Sequence, residues 1–165
     1  MKQLILMRHA KSDWGDPALP DHARPLNKRG RRSARALGDW LRAEALLPDE
    51  ILCSSAARAQ ETCARLKLPL VPDLRERLYM AEPEAMLAEV QGARGDTVLM
   101  IGHNPGIGEF AARLLTAPPA HERFDDYPTG ATLVARFDIP DWSALREGTG
   151  RALRFVIPRE LLPGE

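Results

Sequence analysis

Two histidines and two arginines hold the chemistry this chain can do. His9 follows the apolar run Lys2 to Met7 with Arg8 between them, and His103 follows the apolar run Thr97 to Ile101 across one glycine, Gly102. Both runs read as short buried strands. Arg58 lies in the first turn of a helix predicted to start after Ser54 or Ser55, where free N–H groups and the helix dipole add positive charge. Two imidazoles and two guanidiniums around a helix start suit a phosphoryl group. Arginine grips its oxygens bidentately, while an uncharged imidazole nitrogen attacks in line. Such a set needs neither metal nor cofactor. A histidine after a strand is also a common structural residue, and Arg8 could equally form a surface ion pair, so the residues alone leave both readings open.

The elements that must position these groups are legible in outline. Asn27 can cap a helix running to about Leu46, with Ala34, Leu37, Trp40 and Leu41 at helical spacing. Strands are expected at Ile51 to Cys53, more weakly at Pro69 to Val71, and at Ala131 to Phe137 and Leu153 to Ile157. Further helices are expected at about Ala56 to Leu66, Glu82 to Val90 and Ile107 to Leu115. Ala10 to Pro25 and Thr116 to Thr129 read as loops. Strands alternating with helical patterns predict a three-layer α/β/α domain with a mainly parallel sheet, whose ligands bind beyond the carboxyl ends of the strands. Residues 1–165 read as one domain.

Composition narrows the partners. Lys plus Arg and Asp plus Glu both total 23, so no global field draws in nucleic acid or an anionic membrane, and attraction for anions must be local. The N-terminal apolar run is too short for a signal peptide core or a membrane span, which predicts a cytoplasmic protein. Cys53 and Cys63 read as buried thiols. His121 with Asp125 and Asp126 reads more simply as a charged loop than as a metal site, and Gly106-Ile107-Gly108 as helix-start geometry. Arg29 to Arg35 reads as a solvated helix face, with docking of an acidic protein as the minority reading.

Leu6-Met7-Arg8-His9-Ala10, Ser54-Ser55-Ala56-Ala57-Arg58-Ala59-Gln60-Glu61-Thr62 and Gly102-His103-Asn104-Pro105-Gly106 resemble, in order and spacing, the blocks of the histidine phosphatase superfamily. Ala10 departs from the usual glycine. Arg8-His9-Ala10-Lys11-Ser12, Arg24-Pro25-Leu26 with Gly30, Leu78-Tyr79-Met80-Ala81 and Pro158-Arg159 further resemble its branch of short phosphohistidine phosphatases of the SixA type, in which alanine after the histidine is a familiar variant. The likeness runs from Leu4 to about Arg159 and implies a phosphoglycerate mutase-like fold.

The resemblance implies that His9 is the nucleophile and becomes phosphohistidine, while Arg8, Arg58 and His103 hold the phosphoryl oxygens. One ring nitrogen of His9 must then be deprotonated and the other fixed by an acceptor, for which a backbone carbonyl just after it is the expected candidate. Arg24 is either a fourth cation or a loop ion pair with Asp21 or Asp16. Glu76-Arg77-Leu78-Tyr79 resembles the mutase pattern Glu-Arg-x-Tyr, which would make Glu76 a general acid, with Glu82 as second candidate. The expected substrate is a protein phosphohistidine. The alternatives are a small phosphomonoester such as a sugar phosphate or nucleotide, and a non-catalytic phosphate-binding module. Imidazole, with an unperturbed pKa of about 6.5, leaves phosphorus far more readily than an alkoxide, so a phosphohistidine substrate demands less of an acid.

Overall fold

Alternation of apolar side chains decides the architecture. In the computed structural model, which describes residues 1–162, strand β1 (Lys2–Arg8) sends Leu4 and Leu6 to one face and Ile5 and Met7 to the other, all four fully buried. A strand apolar on both faces needs a covering layer on each. Leu37 and Leu41 of α1 (Lys28–Ala43) and Cys63 and Leu66 of α2 (Ala57–Leu66) pack with Ile5 and Met7. Met86 and Val90 of α3 (Pro83–Gln91) and Phe110 and Leu114 of α4 (Gly106–Leu114) pack with Leu4 and Leu6. The result is the expected three-layer α/β/α arrangement.

The remaining strands are β2 (Glu50–Ser54), β3 (Asp73–Arg75), β4 (Thr97–Gly102), β5 (Thr132–Phe137) and β6 (Arg151–Val156), and a short helix α5 (Pro158–Leu161) follows. The sheet order is β3-β2-β4-β1-β5-β6. β3, β2, β4 and β1 run parallel, whereas β5 and β6 close one side antiparallel, so the sheet is mixed with a parallel core. Arg8 pairs in register with Gly102, which sets His9 and His103 side by side just beyond the carboxyl ends of the central strands.

Three local expectations need correction. The third strand lies at Asp73–Arg75 rather than at Pro69 to Val71. Pro69 and Pro72 offer no N–H to a ladder, and Val71 is left exposed. Helix α1 stops at Ala43 rather than near Leu46, because Ala45 turns left-handed (φ 56°) and the Leu46 N–H reaches back to the Leu41 carbonyl. Neither Ser54 nor Ser55 caps α2: Ala56 holds the N-cap position. At the start of α1, the Asn27 side chain accepts from the Gly30 N–H at 2.8 Å. A Cβ at Gly30 would sit 2.0 Å from the Lys11 carbonyl oxygen, so only glycine lets this helix rest on the segment after His9.

Candidate active site

His9 is buried, and its Nδ1 lies 2.7 Å from the Ala10 carbonyl oxygen. A carbonyl only accepts, so Nδ1 carries the proton and Nε2 keeps its lone pair. The Arg58 Nε–H, 3.3 Å from that Nε2, donates to it, which agrees with the same tautomer. Burial, opposed by the Ala10 bond and reinforced by His103, Arg58 and Arg8, pushes the His9 pKa down to about 3. The ring is therefore a neutral base at neutral pH.

The His103 ring lies 5.1 Å from that of His9, centroid to centroid, tilted by 52°. Its Nε2 is 2.7 Å from Ser54 Oγ, at the end of the adjacent strand β2. Ser54 Oγ also accepts from the Ala56 N–H. With its hydroxyl proton directed to Nε2, the serine leaves an N–H on His103 Nδ1. Burial first, then Arg58, lowers the His103 pKa to about 3, so this ring is neutral too. Among the described residues, His103 Nδ1 and Arg8 Nε are the buried side-chain nitrogens without a hydrogen-bond partner. Orphaned buried donors are costly, and a pair of them beside a neutral imidazole base is a site built for an anion.

Arg8 is fixed from the far side, where its Nη1 donates to the Tyr127 carbonyl at 3.1 Å. Tyr127 is fully buried and donates its hydroxyl to the Leu6 carbonyl, so the loop expected at Thr116 to Thr129 braces β1 just before the site. Asn104 Nδ2 donates to the same Tyr127 carbonyl. Thr62, on α2, accepts from the Ala10 N–H at 3.0 Å and donates to the Arg58 carbonyl at 2.7 Å, coupling the segment after His9 to the helix that carries Arg58.

Arg8, His9, Arg24, Arg58 and His103 line one cavity of about 370 Å³. Glu76 and Glu82 are exposed and stand outside that lining. Glu76 begins a one-turn 3₁₀ segment, and Glu82 holds the N-cap position of α3 and lines a neighbouring cleft. Among the described residues, the carboxylate in the lining is that of Asp21, which the sequence offered only as a loop ion pair. One Asp21 oxygen accepts from Arg24 at 3.0 Å, and the other from Arg58 at 3.0 Å and from the Tyr79 hydroxyl at 2.5 Å. Arg24 lines the cavity and forms the ion pair with Asp21. Tyr79 above all, then Arg24 and Arg58, hold the Asp21 carboxyl well below the usual carboxylate range. Nothing in the sequence distinguished Asp21 from Asp13 or Asp16 in the same loop. His121 and Asp126, weighed above as metal ligands, are engaged with Glu160 and Arg123 respectively.

The arrangement can accept a phosphoryl group on a neutral imidazole nitrogen while cations and N–H donors balance its charge. Comparison with known proteins agrees with that reading. Residues 4–84 match the model of the histidine phosphatase superfamily (branch 1). An uncharacterised protein of Mycobacterium tuberculosis is 35% identical over 160 residues, covering 93% of this chain and 100% of the relative. The phosphohistidine phosphatase SixA of Escherichia coli is 29% identical over 123 residues, covering 68% and 73% of the two chains. The structure of a Nakamurella multipartitia protein assigned as a phosphohistidine phosphatase SixA superposes with a TM-score of 0.84 at 30% identity, over 95% of this chain and 96% of that one. The chain belongs to the histidine phosphatase superfamily, in its SixA-type branch, and is a phosphatase. Among the described residues, no helix is long and apolar enough to cross a membrane.

Proposed function

We propose that this phosphatase removes the phosphoryl group from a phosphohistidine carried by another protein. His9 Nε2 attacks phosphorus as the bond to the substrate imidazole nitrogen breaks, and the phosphoryl group passes to His9. Water then attacks phosphorus, the bond to His9 breaks, and inorganic phosphate departs. Arg8, Arg58 and the His103 Nδ1–H hold the phosphoryl oxygens through both steps, with Arg24 at the edge. The Ala10 carbonyl keeps His9 in the nucleophilic tautomer, and the Ser54 hydroxyl keeps His103 in the donor tautomer.

The observation that carries the choice of substrate is the state of Asp21. The cavity's carboxylate is held ionised by Tyr79, Arg24 and Arg58, and so offers no proton to a leaving alkoxide. A substrate imidazole that bears a proton on its second nitrogen leaves as a neutral ring and needs none. An exposed rim supports the same reading, since Trp14 (75% exposed) and Met80 (50% exposed) stand at the cavity mouth where a bulky partner would meet them.

The test is hydrolysis of a phosphohistidine protein, a sugar phosphate and a nucleotide side by side, with His9→Ala as control. The expected result is a kcat/KM for the phosphohistidine protein at least about 10²-fold above the others, falling by about 10³-fold or more in the variant, with an acid-labile adduct on His9 in the wild type. A preference for either phosphomonoester would overturn the substrate assignment, and undiminished turnover by His9→Ala would remove His9 as nucleophile.

A further inference from the structure

The phosphoryl cavity has two flanks of opposite charge. On one side it shares Lys11 and Thr129 with a larger groove of about 460 Å³. Among the described residues, four cations and no carboxylate line that groove: Lys11 after β1, Arg29 in the first turn of α1, Arg123 before β5 and Arg159 in α5. In a chain whose acidic and basic residues balance at 23 each, four cations from four separate segments converging on one groove make a strong local field. Asp126 engages Arg123, but Lys11 and Arg159 form no ion pair among the described residues. The cavity also shares Met80 with a cleft where, among the described residues, Glu82, Glu84 and Glu109 stand with one cation, Arg113, which pairs with Glu84. Exposed Trp14 and Met80 line the phosphoryl cavity itself, the aromatic and methionine anchors that protein interfaces favour.

Building on the phosphohistidine reading, we propose that the Lys11–Arg29–Arg123–Arg159 groove is the docking surface for an acidic patch on the substrate protein, beside its phosphohistidine. The commitment to an acidic protein rests on charge. The groove attracts an acidic flank, the Glu82–Glu84–Glu109 cleft repels it, and the partner is oriented with its phosphohistidine over His9. Paired fields of this kind raise the encounter rate and reject partners of the wrong charge. The groove is also larger than the phosphoryl cavity itself, more room than a second phosphate would fill.

The test compares wild type with Arg159→Glu and with Arg123→Glu/Arg159→Glu on three substrates: an acidic protein phosphorylated at surface histidines with phosphoramidate, free phosphohistidine, and a small bisphosphate. Charge reversal is expected to lower kcat/KM on the acidic protein by about tenfold, and further in the double variant, while free phosphohistidine stays within about twofold. The wild-type rate on the protein should fall with added salt, and that dependence should flatten in the variants. An unchanged rate on the phosphoprotein, with wild type active on it, would overturn the docking surface and leave the phosphohistidine reading intact. Equal losses on protein and bisphosphate would reassign the groove to a small-molecule anion and overturn the proposal. Wild type active on the bisphosphate alone would overturn the phosphohistidine reading, and the docking surface with it.

Discussion

The floor and the outer wall of the phosphoryl cavity are built on different principles. On the floor, each group is held by a main-chain atom or by a neighbouring strand: His9 by the Ala10 carbonyl, Arg8 by the Tyr127 carbonyl, His103 by Ser54 at the end of β2. The outer wall hangs on one half-exposed carboxylate, Asp21, which draws in Arg24, Arg58 and Tyr79. In the proposed reaction the floor is already ordered before phosphate arrives and needs no reorganisation. In the same proposal the wall exchanges an internal anion for the substrate's, because a phosphoryl group held by Arg24 and Arg58 would compete with Asp21. Rigid chemistry and adjustable entry are thus separated by a few ångströms.

The largest effect is expected from removing Arg58, the cation that belongs to both parts. Arg58→Ala is expected to lower kcat/KM by about 10²- to 10³-fold, and Arg58→Lys to recover little of it, because a lysine cannot supply the bidentate fork. Full recovery by lysine in steady-state kinetics would mean that Arg58 acts as a point charge only.

A smaller effect tests the floor alone. Ser54→Ala removes the group that fixes the His103 tautomer and is expected to lower kcat by about five- to tenfold with KM for phosphohistidine nearly unchanged. A loss confined to KM would show that Ser54 does no more than shape the pocket.

Burial of two neutral imidazoles on the floor also predicts how stability depends on pH. The folded pKa of His9 and of His103 is pushed down to about 3, below the ordinary value of 6.5, so between those values the unfolded chain binds more protons than the folded one. Their contribution is present above about pH 6.5 and is lost as the pH falls toward 3. Thermal unfolding followed by circular dichroism should show Tm dropping by several degrees from pH 7 to pH 4, with a flatter profile in His9→Gln/His103→Gln. Identical profiles would contradict the burial argument.

The smallest effect is expected in the wall. Asp21→Asn frees Arg24 and Arg58 from a competing anion, so inorganic phosphate should inhibit about threefold more tightly while kcat stays within about twofold. A collapse of kcat with an altered acidic limb of the pH profile would instead make Asp21 a proton donor, and the division between floor and wall would fall.

The same division governs what could be read in advance. Continuous apolar runs in β1 and β4, a histidine after each strand, the Asn27 cap and the Arg58 helix start are local properties of the chain, and a parallel sheet brings strand ends together with little further information. These features carried His9, Arg8, Arg58 and His103 to one place, while a main-chain acceptor for the second nitrogen of His9 was expected only from the nucleophilic role that the family resemblance implies. Tertiary structure alone decided that Nε2 is the unprotonated nitrogen, that Ser54 turns from a helix cap into a partner of His103 49 residues away, and that Glu76 faces solvent while Asp21 reaches Arg58 across 37 residues. The reason is physical: loop carboxylates of one residue type are equivalent along the chain, and only the packing of distant segments gives one of them a guanidinium to meet.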